Sequence, residues 1–213
     1  MKFVWLLLFG AGVFSLSFIG YRKYQNTTLY ALAIGGVVNA NYFHAVDYPI
    51  DCFGLPFGID SLIYTLFAFC VMVMLLKEDR RAAYLLAVSS VTAIVFSALM
   101  ELIAALFVSG SSAEVWTTFA SFMVSAFASA AAVPAAVEAI VRLKPKRSPY
   151  LCMALGIGII ALIHSGIYYP LSAVIYASDI PWVYVGTTFA GEAVAVVYSL
   201  TALRVLHWLK NKT

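Results

Sequence analysis

Asn39, Asn41, His44, Asp60, Glu101, His164, Tyr168 and Glu192 are the side chains of this 213-residue sequence best placed to do chemistry, and each lies in or beside a long apolar run. An ionisable group at hydrocarbon depth costs roughly 2.5–3.5 kcal/mol on insertion scales, so it is retained where it faces a cavity, water or a partner. Carboxylates and amides together suit a ligand rich in N–H donors. Imidazole passes protons, and a tyrosine ring offers flat apolar surface with a hydroxyl at its edge. Spacings of four place Ser97 beside Glu101, His164 beside Tyr168, and Thr188 beside Glu192 on helical faces.

Other chemistries have no motif to carry them. The sequence holds no G-x-x-x-x-G-K-[ST], H-E-x-x-H or G-x-S-x-G, and no C-x-x-C or Cys/His cluster with zinc spacing. Two carboxylates and a histidine could in principle hold a metal for intramembrane hydrolysis. They come from three separate runs with no local signature, so the chain reads as a non-enzyme with no cofactor. The Gly156 and Gly158 pair lies inside an apolar run with no preceding strand, which removes a nucleotide-binding reading.

The elements that must position these residues are helices in a membrane. Hydrophobic residues make up 63% of the chain and charged residues 11%, and several apolar runs reach the roughly 20 residues that cross a bilayer core. None alternates as a barrel strand does. The expected fold is an all-α polytopic bundle in one domain, with seven spans at residues 3–20, 28–46, 58–76, 82–109, 115–141, 150–169 and 182–207. Twelve of the thirteen Lys and Arg residues then fall on one side, with Lys2 alone opposite. The positive-inside rule places that side in the cytoplasm, so the N-terminus is outside and the C-terminus inside. Ser15 and Ser17 could mark a signal-peptide cleavage site, but cleavage would strand Arg22 and Lys23 outside, so an uncleaved first helix is expected. The net charge of +3 is accounted for by this bias and calls for no nucleic acid.

With that orientation, the eight residues share the outer half of the membrane. Glu101 falls in the outer third of its run, His164 late in an outward one, and Glu192 about 15 Å below the outer surface. Such convergence is what a cavity opening outward requires. The competing reading is helix glue: Glu101 pairing with His164, and Glu192 with a Ser or Asn of another run. Tyr42, Phe43, Tyr169, Trp182 and Phe189 lie at similar depth, divided between a solute site and the interfacial aromatic belt. Glu138 reads as a surface pair with Arg142 one turn on. The segment 47–57, with Pro49, Gly54 and Pro56, reads either as a re-entrant cap or as a simple outer turn. Ser121, Ser125 and Ser129 give one run a small-residue face for close helix packing or for docking a second protein, and Pro134 is expected to kink it.

Four segments carry a family resemblance over about residues 28–209: "GGVVNANYF", "FGLPFGIDSLIYTLFAF", "KEDRRAAYLLAVSS" and "TTFAGEAVAVVYSLTALRVL". In these the chain resembles the vitamin uptake transporter family, whose members import queuosine precursors. Gly191 and Glu192 look like the family's Gly and membrane carboxylate, and Asn39 or Asn41 like its early Asn. Asp60 stands nearer the outside than the family's Asp, and the first run adds to the family's six helices. The resemblance implies import of a 7-deazapurine or similar flat heterocycle, bound by carboxylates and stacked on aromatic rings. The expected function is therefore uptake of a small polar solute across a bacterial inner membrane. Glu192, Glu101, Asn41 and Asp60 would bond the solute and His164 would orient one of them or relay protons. The alternative is a non-transporting membrane protein, or the substrate-binding subunit of an importer with energy-coupling partners. A homo-oligomer fits either reading.

Overall fold

The computed structural model describes residues 12, 19, 26–45, 49–52, 55–109, 113–175, 196, 197, 200, 201 and 204. Five helices carry the fold: α1 (Asn26–Ala45), α2 (Ile59–Lys77), α3 (Arg80–Ser109), α4 (Ala113–Leu143) and α5 (Pro149–Ile175). A 3-10 turn at Lys144–Lys146 joins α4 to α5. The described residues of the first and seventh runs are helical as well, and the rest of both runs lies outside the described residues. Three described helices are long and apolar enough to cross a membrane, over Arg80–Phe107, Val115–Lys146 and Pro149–Ile175.

The segment between α1 and α2 is neither a bare loop nor a single turn. Strands β1 (Pro49–Cys52) and β2 (Leu55–Gly58) pair antiparallel, with Pro49 opposite Gly58 and Cys52 opposite Leu55. Neither strand has a further neighbour among the described residues, so Pro49 and Pro56 sit where a missing N–H donor is tolerated.

Helix ends follow local chemistry. Asp79 stands just before α3, and its Oδ1 accepts the Ala82 N–H at 2.7 Å, as an N-cap does. Ser148 does the same for α5, accepting the Leu151 N–H at 3.3 Å, with Pro149 in the first helical position. At the far end of α2, Lys144 Nζ donates to the Leu75 carbonyl at 3.1 Å and satisfies an acceptor that the helix itself leaves open. Two prolines lie inside helices without ending them. Helix α4 continues through Pro134, and α5 runs past the expected end at 169 through Pro170 to Ile175. A proline inside a helix removes one backbone hydrogen bond, and in membrane helices neighbouring helices and Ser or Thr side chains can satisfy the freed carbonyl.

Helix α2 is the centre. Every residue from Ile63 to Leu75 is buried, as expected of a helix that is apolar all round, and it packs on α1, α3 and α5. Helix α4 packs between α3 and α5. Its small-residue face points inward: Ser121, Ser125, Ser129, Ala132 and Ala136 are all buried. That face is consumed by the protein's own bundle, which corrects the idea that it docks a second protein. Gly156 of α5 sits where a Cβ would lie 2.1 Å from Met72 Sδ and 3.3 Å from Ile140 Cγ1, so its lack of a side chain is what brings α5 onto α2 and α4.

At the expected cytoplasmic end, Glu138 turns away from the role foreseen with Arg142. Its Oε1 pairs with Arg80 and accepts the Tyr84 hydroxyl at 2.8 Å, and the Arg80 guanidinium lies over the Tyr84 ring at 5.5 Å. Antiparallel packing of α3 on α4 brings the start of one helix to the end of the other, so a cross-helix partner wins over the one a turn away. Both ends of the pair are partly exposed and hence weakened by solvent. Glu138→Ala is expected to cost about 1 kcal/mol, a fall of about 2–4 °C in Tm measurable by thermal unfolding in detergent.

Candidate functional site

Tyr64 of α2 and His164 and Tyr168 of α5 form a ladder of rings in the interior. Tyr64 and His164 stack with centroids 3.9 Å apart and planes 27° from parallel. His164 and Tyr168, one turn apart on α5, stack at 5.5 Å and 7°. Tyr169 meets Tyr168 edge-on at 5.7 Å, and Phe67 supports Tyr64 at 5.4 Å. Aromatic pairs in these ranges contribute about 0.5–1.5 kcal/mol each beyond area burial.

The third helix fixes the ladder through hydroxyls. The Tyr64 and Ser129 hydroxyls lie 3.0 Å apart, and those of Ser121 and Tyr168 lie 2.9 Å apart. Ser121, Ser125 and Ser129 recur every four residues on α4 and are all buried, so they share one face, with the tyrosine anchors two turns apart. Away from water, each such hydroxyl needs a partner. The ladder is therefore a polar, ring-lined seam where α2, α4 and α5 meet.

One register produces both this seam and the glycine contact. His164 lies eight residues after Gly156 on α5, and Tyr64 lies eight before Met72 on α2. In an antiparallel pair those offsets match, so the close approach at Gly156 sets the height at which His164 meets Tyr64.

Glu101 belongs to a second feature. It is half-buried on α3 and lines a cavity of about 250 Å³ with Leu102 and Ala105 of the same helix and Val115, Thr118 and Phe119 of α4. Thr118 precedes Ser121 by three residues, so cavity wall and ladder anchor lie about one turn apart on α4. His164 and Tyr168 are not among the described walls of this cavity. Their rings pack on one another and on Tyr64, so among the described residues the Glu101 pocket and the aromatic seam are separate features.

The remaining expected site residues divide. Asn39 is exposed, and its amide donates to the Gly35 carbonyl of its own helix at 2.7 Å. Asn41 and His44 continue α1, and Asp60 is the second residue of α2; their side chains, and all of Glu192, lie outside the described residues. Tyr64, Ser121 and Ser129 are the residues that sequence reasoning missed as a site. The four-residue recurrence of serine was the available signal, since buried hydroxyls at that spacing need partners on a facing helix.

No protein family, curated protein or solved structure matches the chain. What the residues can do chemically therefore rests on their geometry. Glu101 presents a carboxylate to a cavity of about 250 Å³, slightly smaller than the roughly 300 Å³ at which ligand sites begin. One turn farther along α4 than Thr118, Ser121 bonds the Tyr168 hydroxyl of α5, and Tyr168 stacks on the His164 imidazole, a group that can hold or pass a proton.

Proposed function

We propose that the chain spans a bacterial inner membrane seven times, N-terminus outside, as a member of the vitamin uptake transporter group, and that it imports a small, flat, N–H-rich heterocycle of the 7-deazapurine class. The observation carrying this reading is the half-buried Glu101 carboxylate, which faces a cavity whose wall residue Thr118 lies one helical turn along α4 from Ser121, the serine that bonds Tyr168 of the buried His/Tyr stack. A solute leaving water needs replacement hydrogen bonds and a flat apolar surface, and these residue types supply both. In this reading Glu101 and Glu192, with Asn41 and Asp60, bond the solute's N–H edge. Tyr64 and Tyr168 offer ring faces, and His164 orients the acids or relays protons. The energy comes from protons or from partner subunits, because the sequence has no P-loop.

Uptake of radiolabelled 7-deazaguanine into liposomes holding only the purified chain tests this. A self-sufficient carrier accumulates the label, whereas a binding subunit retains it without transport. Glu192→Gln removes the charge while keeping the shape. It is expected to lower uptake at least tenfold with Tm held within about 2 °C, and unchanged uptake would remove Glu192 from the site.

A further inference from the structure

The other end of α3 carries a pocket that the solute site does not use. It is a shallow, open groove of about 570 Å³ walled by Asp79, Arg80, Arg81, Tyr84, Leu85 and Val88. Its walls are graded along the helix. Cations come first, a tyrosine ring follows, and Leu85 and Val88 stand one and two turns beyond Arg81 with 51% and 62% of their surface exposed. That gradient covers about 10 Å at 1.5 Å per residue. Two of the three nearby acids are engaged in the fold: Asp79 caps α3 through the Ala82 N–H, and Glu138 accepts from Tyr84 and pairs with Arg80.

What covers this face follows from the helix itself. The stretch Arg80–Phe107 is apolar enough to cross a membrane, and only 17% of its apolar window is buried in the protein. Its outer face is therefore a face for acyl chains, and the pocket lies where such a helix enters the interface, the level favoured by tyrosine and arginine. Segments 77–81 and 138–147 together hold seven Lys and Arg against three acids, which favours an anionic over a zwitterionic headgroup. We propose that this pocket binds one anionic phospholipid, with Arg81 on the phosphate, the Tyr84 ring beside the glycerol esters, and an acyl chain along Leu85 and Val88.

Native mass spectrometry of the purified chain, released from micelles with equal amounts of phosphatidylglycerol and phosphatidylcholine, reads this directly. Phosphatidylglycerol should be retained preferentially by the unaltered chain, an outcome that needs no variant to fold. Arg81→Gln should reduce its retention about fivefold, the effect of one basic residue near an anionic headgroup, and Arg147→Gln, on the same basic side but away from the pocket, should leave it within twofold. Equal retention of the two lipids, or equal losses in both variants, would overturn the assignment and leave only a diffuse basic surface.

Discussion

A chain carrying Gly156→Val is expected to reach the membrane but to lose about 3 kcal/mol of bundle stability, lowering Tm by about 6–12 °C in detergent. The position has no room, since even a first carbon would lie 2.1 Å from Met72 Sδ and 3.3 Å from Ile140 Cγ1. Met72 is unbranched and can bend away, so Gly156→Ala should cost less. A valine adds branches toward Ile140, which is fully buried and cannot retreat. Met72→Ala, which by itself opens a cavity at a fully buried position, should cost less in the Gly156→Ala chain than in the unaltered one, because it removes the atoms in conflict. Because one antiparallel register governs Gly156 on Met72 and His164 on Tyr64, the valine chain should also lose solute uptake per folded molecule. Normal stability in Gly156→Val would mean that α5 does not approach α2 this closely.

The second large effect is expected at His164. His164→Leu keeps roughly the volume of the ring but gives up its stacks on Tyr64 and Tyr168, so it should cost about 1–3 kcal/mol of stability. Uptake should also fall below a tenth of its normal rate, since the imidazole between Tyr64 and Tyr168 is the group of the seam able to carry a proton. Liposome uptake normalised to folded protein, with Tm measured alongside, separates this from helix glue. A glue residue would lower Tm and spare the normalised rate.

The positions of the five described helices were legible because apolar runs and polar punctuation set them. The turn at Lys77–Arg81 and the caps Asp79 and Ser148 mark boundaries by local chemistry that any reader of the sequence can use. The sixth run was expected to end at 169, whereas α5 continues through Pro170 to Ile175. The hairpin at 49–58 was hidden because its prolines and glycines read as turn residues, and four-residue strands are too short to show alternation. Glu138 was assigned to Arg142 because only neighbours along one helix are visible in sequence, whereas Arg80 reaches it across a helix interface. The ring ladder was invisible for the same reason. Tyr64, Ser129 and His164 come from three helices, and nothing short of their mutual register says that the rings stack. Depth alone did single out Glu101 and His164, because a titratable group in an apolar run is conspicuous wherever it finally points.

The most direct measurement is thermal unfolding of the purified chain against a panel of purines, 7-deazapurines, pterins and amino acids. A ligand at 100 times its Kd stabilises the folded state by about 2.7 kcal/mol, which for a chain of this size is a rise in Tm of about 5–10 °C. A flat, N–H-rich heterocycle should give such a rise, and the rise should be lost in Glu101→Gln and in His164→Leu. A panel with no stabilising heterocycle, or one whose effect survives both substitutions, would contradict the proposed binding site.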